Sequence, residues 1–137
     1  MAGINSYNMI RQAWPKTRSR GRRVKNPGES KVRIILAARS GGLCERCGRP
    51  GQSLHHRKNR SQGGPWSASN CVWVCGDGVR GCHGWIGQHP LAAKDEGFAV
   101  PRNGDPAQVP IQSRLHGRVR LADDGSVSPA PIEGGAA

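Results

Sequence analysis

Four of the five cysteines in this 137-residue chain fall into two pairs, Cys44 with Cys47 and Cys75 with Cys82. That spacing limits the possible folds more than any hydrophobic pattern here. A Cys-x2-Cys turn lets two thiolates, and the amides between them, face a single ion. Cys75 and Cys82, six residues apart in the intervening sequence, offer the second pair. Four thiolates close a tetrahedral site, the usual structural choice for Zn²⁺. Disulfides explain the cysteines poorly. The N-terminal MAGINSYNMI lacks an apolar signal core, and no run approaches the ~20 apolar residues of a membrane span. The expectation is a cytoplasmic chain with reduced thiols. Only 35% of the residues are hydrophobic and 4% aromatic, with 20 Gly and 10 Pro, so a metal staple supplies folding free energy that a thin core cannot. Cys71 is left over. On an alternating strand it shares a face with Trp73 and Cys75, and it reads as a small buried hydrophobe in preference to a competing ligand.

Charge divides the chain into three. Lys and Arg outnumber Asp and Glu by 21 to 9, a net charge of +12 that points to a polyanionic partner, nucleic acid above all. Residues 1–28 carry seven cations and no acid, residues 29–95 a net +6, and the remainder a net −1. The basic arm (1–28), with Arg18, Arg20, Arg22, Arg23 and Lys25 in TRSRGRRVKNPG, reads as disordered in isolation and suited to phosphate contact.

A globular part follows at 29–97. ESKVRIILAARS reads as a helix with Ser30 as N-cap and Gly41-Gly42 as its stop. SLHHR and NCVWVC read as two strands of a long-looped hairpin, and the polar stretch 58–69 as its loop. CHGWIGQH begins a short helix, and PLAAKDE a second with Pro90 in its first turn and Gly97 as its end. Residues 98–137 hold short extended pieces (FAV, QVPIQ, GRVRLA) that read either as a small β-appendage or as a loosely ordered β-rich extension, ending in the disordered tail SPAPIEGGAA. Trp66, Trp73 and Trp85 read as packing between hairpin and helix.

The cysteine frame encloses His55, His56, Asn70 and His83. Adjacent strand residues point to opposite faces, so His55 and His56 divide the labour: one is placed to ligate a metal, the other to act on substrate or water. His83, at a helix start, returns to the metal-facing side. Two neutral imidazoles leave coordination positions open, as a catalytic metal requires. His89 is off that face, and His116 lies outside the pattern.

This constellation, LHHRKNRSQGGPWSASN, then NCVWVC, then CHGWI, resembles the HNH endonuclease family, preceded by CERCG as in its zinc-knuckle version. The resemblance covers roughly residues 43–90 and includes the loop pair Gly63-Gly64. It implies a small α+β fold with a ββα-metal (His-Me finger) core. It also implies roles: His55 and His83 as catalytic-metal ligands, His56 as general base, and Asn70 as the residue that ties the hairpin loop and orients that base. The spacing departs from the family, whose second cysteine pair is again CxxC. The chain is also similar to the compact HNH proteins of tailed phages. That likeness implies work with terminase and portal during genome packaging, inside a bacterial host cell.

The expected function is therefore metal-dependent DNA phosphodiester hydrolysis, by nicking or weakly specific cutting. A structural Zn²⁺ and a divalent catalytic metal (Mg²⁺, Mn²⁺, Ni²⁺ or Zn²⁺) are its cofactors. Arg57, Lys58 and Arg60 are expected to join the arm in gripping phosphates. The rival is a non-catalytic zinc-stapled DNA-binding module, which needs the cysteines and the basic arm but not the histidines in register.

Overall fold

A computed structural model describes residues 28–131. The arm residues Arg18, Arg20, Arg22, Arg23 and Lys25 lie outside the described residues. The elements in chain order are α1 (Glu29–Ser40), β1 (Ser53–His56), a 3-10 turn (Arg60–Gln62), β2 (Cys71–Val74), α2 (Gly81–Gln88), α3 (Pro90–Asp95), β3 (Ile111–Ser113), β4 (Gly117–Leu121) and β5 (Val127–Pro129). The architecture is small α+β, with two antiparallel sheets, β1-β2 and β3-β4-β5. Among the described residues, no helix is long and apolar enough to cross a membrane.

Helix α1 has its N-cap two residues earlier than the predicted Ser30. Gly28 is the N-cap, and no side chain caps the helix. It ends as expected, with Gly41 in the left-handed region at φ 65°. The hairpin register pairs His55 with Val72 and His56 with Cys71. Because opposite partners share a face, the sheet separates two sets of side chains. Cys71 and Trp73 pack with Val32, Leu36 and Ala68 beneath α1, with Leu54 and Trp66 at the margin. Val72 and Val74 face the other way, into a cluster with Ile86, Phe98, Ile111, Val119 and Leu121. The strand stops at Val74, so its alternation does not carry on to Cys75 as the sequence suggested. Cys75 leaves the strand and joins the second cluster.

Of the two readings of the C-terminal stretch, the structure has the β-appendage, a three-stranded sheet, and it is packed into the core. Phe98, Ile111, Val119 and Leu121 are almost completely buried in the same core as the hairpin and α2. FAV forms no strand, yet Phe98 and Val100 are core residues. Arg57 explains much of this attachment and corrects its expected role in phosphate contact. It is only 2% exposed, and its guanidinium donates to the carbonyls of Gly97, Ser69, Pro106 and Val109. Burial and the nearby Arg39 lower its pKa to about 10, which leaves it charged at neutral pH. A cation with this many buried acceptors is a structural hub, and although Arg57 lines the cleft described below, its guanidinium is committed to these carbonyls.

A second buried network crosses the molecule. Glu45, inside the Cys44–Cys47 turn, is fully buried and takes two hydrogen bonds from Arg39 at 2.8 and 2.9 Å. It also accepts from the Trp73 amide, and His116 Nε2 lies 3.0 Å from its Oε1. Burial pushes the Glu45 carboxyl up, but the Arg39 charge and these hydrogen bonds hold it down at about 2. One carboxylate thus joins α1, the cysteine turn, β2 and the β3-β4 turn.

Arg57→Met tests the hub. It leaves four carbonyls without their donor, and the expected loss is about 3–5 kcal/mol of unfolding free energy in urea titrations. A loss below about 0.5 kcal/mol, the usual surface value, would return Arg57 to the surface.

Candidate metal centres and cleft

The four sulfurs of Cys44, Cys47, Cys75 and Cys82 lie within 4.8 Å of one another, placed to hold one metal ion. The Cys47–Cys75 separation is 3.7 Å. A thiolate tetrahedron at the usual Zn–S length of about 2.3 Å has edges of roughly 3.8 Å, so the group fits Zn²⁺ as it stands. The surroundings suit thiolates. The amides of Arg46 and Cys47 donate to Cys44 Sγ, that of Cys82 to Cys75 Sγ, and the Arg46 guanidinium to Cys82 Sγ, each at 3.4 Å. Arg46 is held over Trp85, 3.7 Å from the ring centroid, and pairs with Glu96 at 2.7 Å. Burial pushes the Cys47 thiol up, yet hydrogen bonds from Arg49 outweigh it and bring its pKa down to about 6. The longer loop between Cys75 and Cys82 is absorbed in a turn where Gly76, at φ 85°, passes against the Arg80 carbonyl. Cys71 takes no part. It is fully buried under α1, and burial raises its pKa to about 12.

The same turn delivers His83 to the hairpin. His55 on β1 and His83 on α2 meet edge to face, with ring centroids 5.4 Å apart. Both line an open cleft of about 580 Å³, together with Asn59, Gln62 and Lys94. Among the described residues no carboxylate lines this cleft, whose cations are Lys94 and the buried Arg57, while Asp77 lies near enough to His83 to act on its charge. The His55 ring donates from Nε2 to the Phe98 carbonyl at 2.8 Å, and His83 Nδ1 lies 2.9 Å from Ser53 Oγ. Burial lowers the pKa of both, that of His55 to about 4, so both are neutral at pH 7 and able to ligate. Two imidazoles with open positions beside them fit a borderline divalent ion better than a hard one.

His56 lies on the opposite face of β1 and lines no part of the cleft. Its ring stands edge to face with Trp66, at 4.5 Å between centroids, and its Nε2 is buried without a hydrogen-bond partner. Burial, then the charge of Arg60, lowers its pKa to about 4. The guanidiniums of Arg33 and Arg60 lie 5.9 and 5.6 Å from the Trp66 centroid. Asn70 is fully buried and closes the loop. Its Oδ1 accepts from the Lys58 amide at 2.8 Å, and its Nδ2 donates to the carbonyls of Lys58 and Pro65, each at 3.1 Å. Gly64 completes the closure, since a Cβ there would stand 1.7 Å from the Lys58 carbonyl oxygen. Lys58 is half-buried and Arg60 exposed beside this loop. His89 packs its ring on Trp85 and joins no metal-binding cluster.

Sequence reasoning missed Lys94 and Ser53. Ser53 carried a legible signal, because a residue two before His55 on a strand shares its face. Lys94 carried none, because only the packing of α3 beside α2 brings it to the cleft. No family model, curated protein or solved structure matches the chain.

Elemental analysis checks the sulfur site. Cys71→Ser is expected to keep one zinc per chain, whereas Cys47→Ser loses the metal and the cooperative unfolding transition. Retention of zinc by Cys47→Ser would break the assignment.

Proposed function

We propose that the chain is a metal-dependent endonuclease of HNH type, hydrolysing DNA phosphodiester bonds by nicking or weakly specific cutting. The observation that carries this reading is the meeting of neutral His55 and His83 in a cleft that holds Lys94 and no carboxylate. His55 and His83 would hold a divalent ion, which when bound would stabilise the charge that develops on the oxygens of a scissile phosphate. Lys94 would attract the phosphodiester, and Asn70 fixes the junction between β1 and the loop.

His56 is the candidate general base. With Nε2 sealed against Trp66, acceptance of the proton from an attacking water falls to Nδ1. The phosphate contacts assigned to Lys58, Arg60 and the basic arm add affinity without sequence reading. The second reading, a non-catalytic zinc-stapled DNA-binding module, is favoured by one observation, the separation of His56 from the cleft.

Cleavage and binding measured on the same preparations separate the two. His56→Ala is expected to keep its zinc and bind DNA nearly as well as wild type, yet lose at least ~10²-fold in plasmid nicking. His83→Ala is expected to lose cleavage in a way that excess divalent metal partly restores. Undiminished cleavage by folded His56→Ala would remove it as the base. Absence of cleavage by wild type with Mg²⁺, Mn²⁺, Ni²⁺ or Zn²⁺ would favour the binding module.

A further inference from the structure

One ring nitrogen of each cleft histidine is already engaged, and the partner decides which nitrogen keeps its lone pair. For His55 the partner is the Phe98 carbonyl, which only accepts, so Nε2 carries the proton and Nδ1 is free. For His83 the partner is a hydroxyl, which both donates and accepts. Ser53 Oγ has a single proton and two neighbours, the Gly76 carbonyl at 2.9 Å and His83 Nδ1 at 2.9 Å. Both contacts are hydrogen bonds only if Ser53 donates to Gly76 and accepts from the Nδ1–H of His83. The reverse arrangement strips the Gly76 carbonyl of this donor and leaves two lone pairs facing each other or a wasted bond.

We propose that Ser53 is a positioning residue that holds neutral His83 as its Nδ1–H tautomer, so that Nε2 of His83 and Nδ1 of His55 are the two lone pairs offered to the cleft. The purpose of this arrangement rests on the metal-binding reading above, but the tautomer itself does not.

The backbone around Ser53 keeps the relay in place. Ser53 pairs with Val74 in the hairpin, which brings it beside the turn that follows β2. Gly76 is fixed from both sides, its amide donating to Gln52 Oε1 at 2.7 Å and its carbonyl accepting from Ser53. The His83 amide donates to the Cys75 carbonyl at 2.9 Å. Gly76 follows Cys75 and His83 follows Cys82, so two members of the relay are chain neighbours of sulfur ligands. The sulfur site and the His83 side of the pair are thereby joined through one short turn. Partners of this kind fix a ligating histidine's tautomer and ring orientation, and their loss typically costs 10- to 100-fold in metal affinity.

The test uses the full-length, zinc-loaded chain with 15N-labelled histidine. Long-range 1H–15N correlation at neutral pH is expected to show His83 protonated at Nδ1 in wild type and in Ser53→Thr, and to lose that preference in Ser53→Ala. Calorimetric titration with Co²⁺ as a second metal equivalent is expected to show affinity about 10- to 100-fold weaker for Ser53→Ala and restored in Ser53→Thr, at unchanged zinc content. An Nε2–H tautomer in wild type overturns the proposal, even if Ser53→Ala does not fold. Retention of the Nδ1–H tautomer in Ser53→Ala overturns it as well. If wild type binds no Co²⁺ at the cleft, the metal reading falls while the tautomer measurement still decides the role of Ser53.

Discussion

The convergence of Cys44 and Cys47 with Cys75 and Cys82 closes a loop that contains the whole hairpin. Two four-residue strands are too short to be stable alone in water, and a metal ion held at the base of the loop would lower the entropy cost of keeping them together. The clamp is prepared for thiolates. Three amide donors and the Arg46 guanidinium point at sulfur, and Arg46 is itself held by Glu96 and Trp85. The Arg39–Glu45–His116 network begins inside the same turn, so the cysteine frame also ties α1 and the C-terminal sheet to the hairpin.

Within that frame the hairpin presents two faces. On one, β1 and α2 bring Ser53, His55 and His83 together beside the cleft. On the other, His56 lies among Trp66 and residues of α1 and the loop. The register alone produces this separation, since a one-residue slip would exchange the two histidines. Asn70 and Arg57 guard the register at the end of β1. Asn70 ties the loop back on itself, and the buried Arg57 anchors the strand end to the chain that follows α3.

Much of this was legible where local chemistry decides. The CxxC spacing, the left-handed Gly41 stop, the alternation of NCVWVC and Pro90 at a helix start all act over a few residues, and the elements formed where they pointed. The same holds for opposite faces at His55 and His56. What the sequence hid depends on contacts far apart in the chain. A basic run beside two histidines looks like a phosphate grip, and nothing local shows that Arg57 meets carbonyls up to 52 residues away. The small apolar pieces after Gly97 look too weak to fold, because their partners Val72, Val74 and Ile86 belong to the hairpin and α2. Glu45 and His116 gave no sign of meeting, being 71 residues apart.

Both the fold's staple and the proposed chemistry require the sulfur site to be a metal site distinct from the histidine cleft. X-ray absorption at the zinc edge, on full-length protein carrying one equivalent of zinc, tests this most directly. The predicted spectrum is a single shell of four sulfurs at about 2.3 Å, with no imidazole scattering. A mixed shell of sulfur and nitrogen would contradict it, because a histidine would then belong to the staple and the cleft would lose one of the two groups on which its proposed chemistry depends.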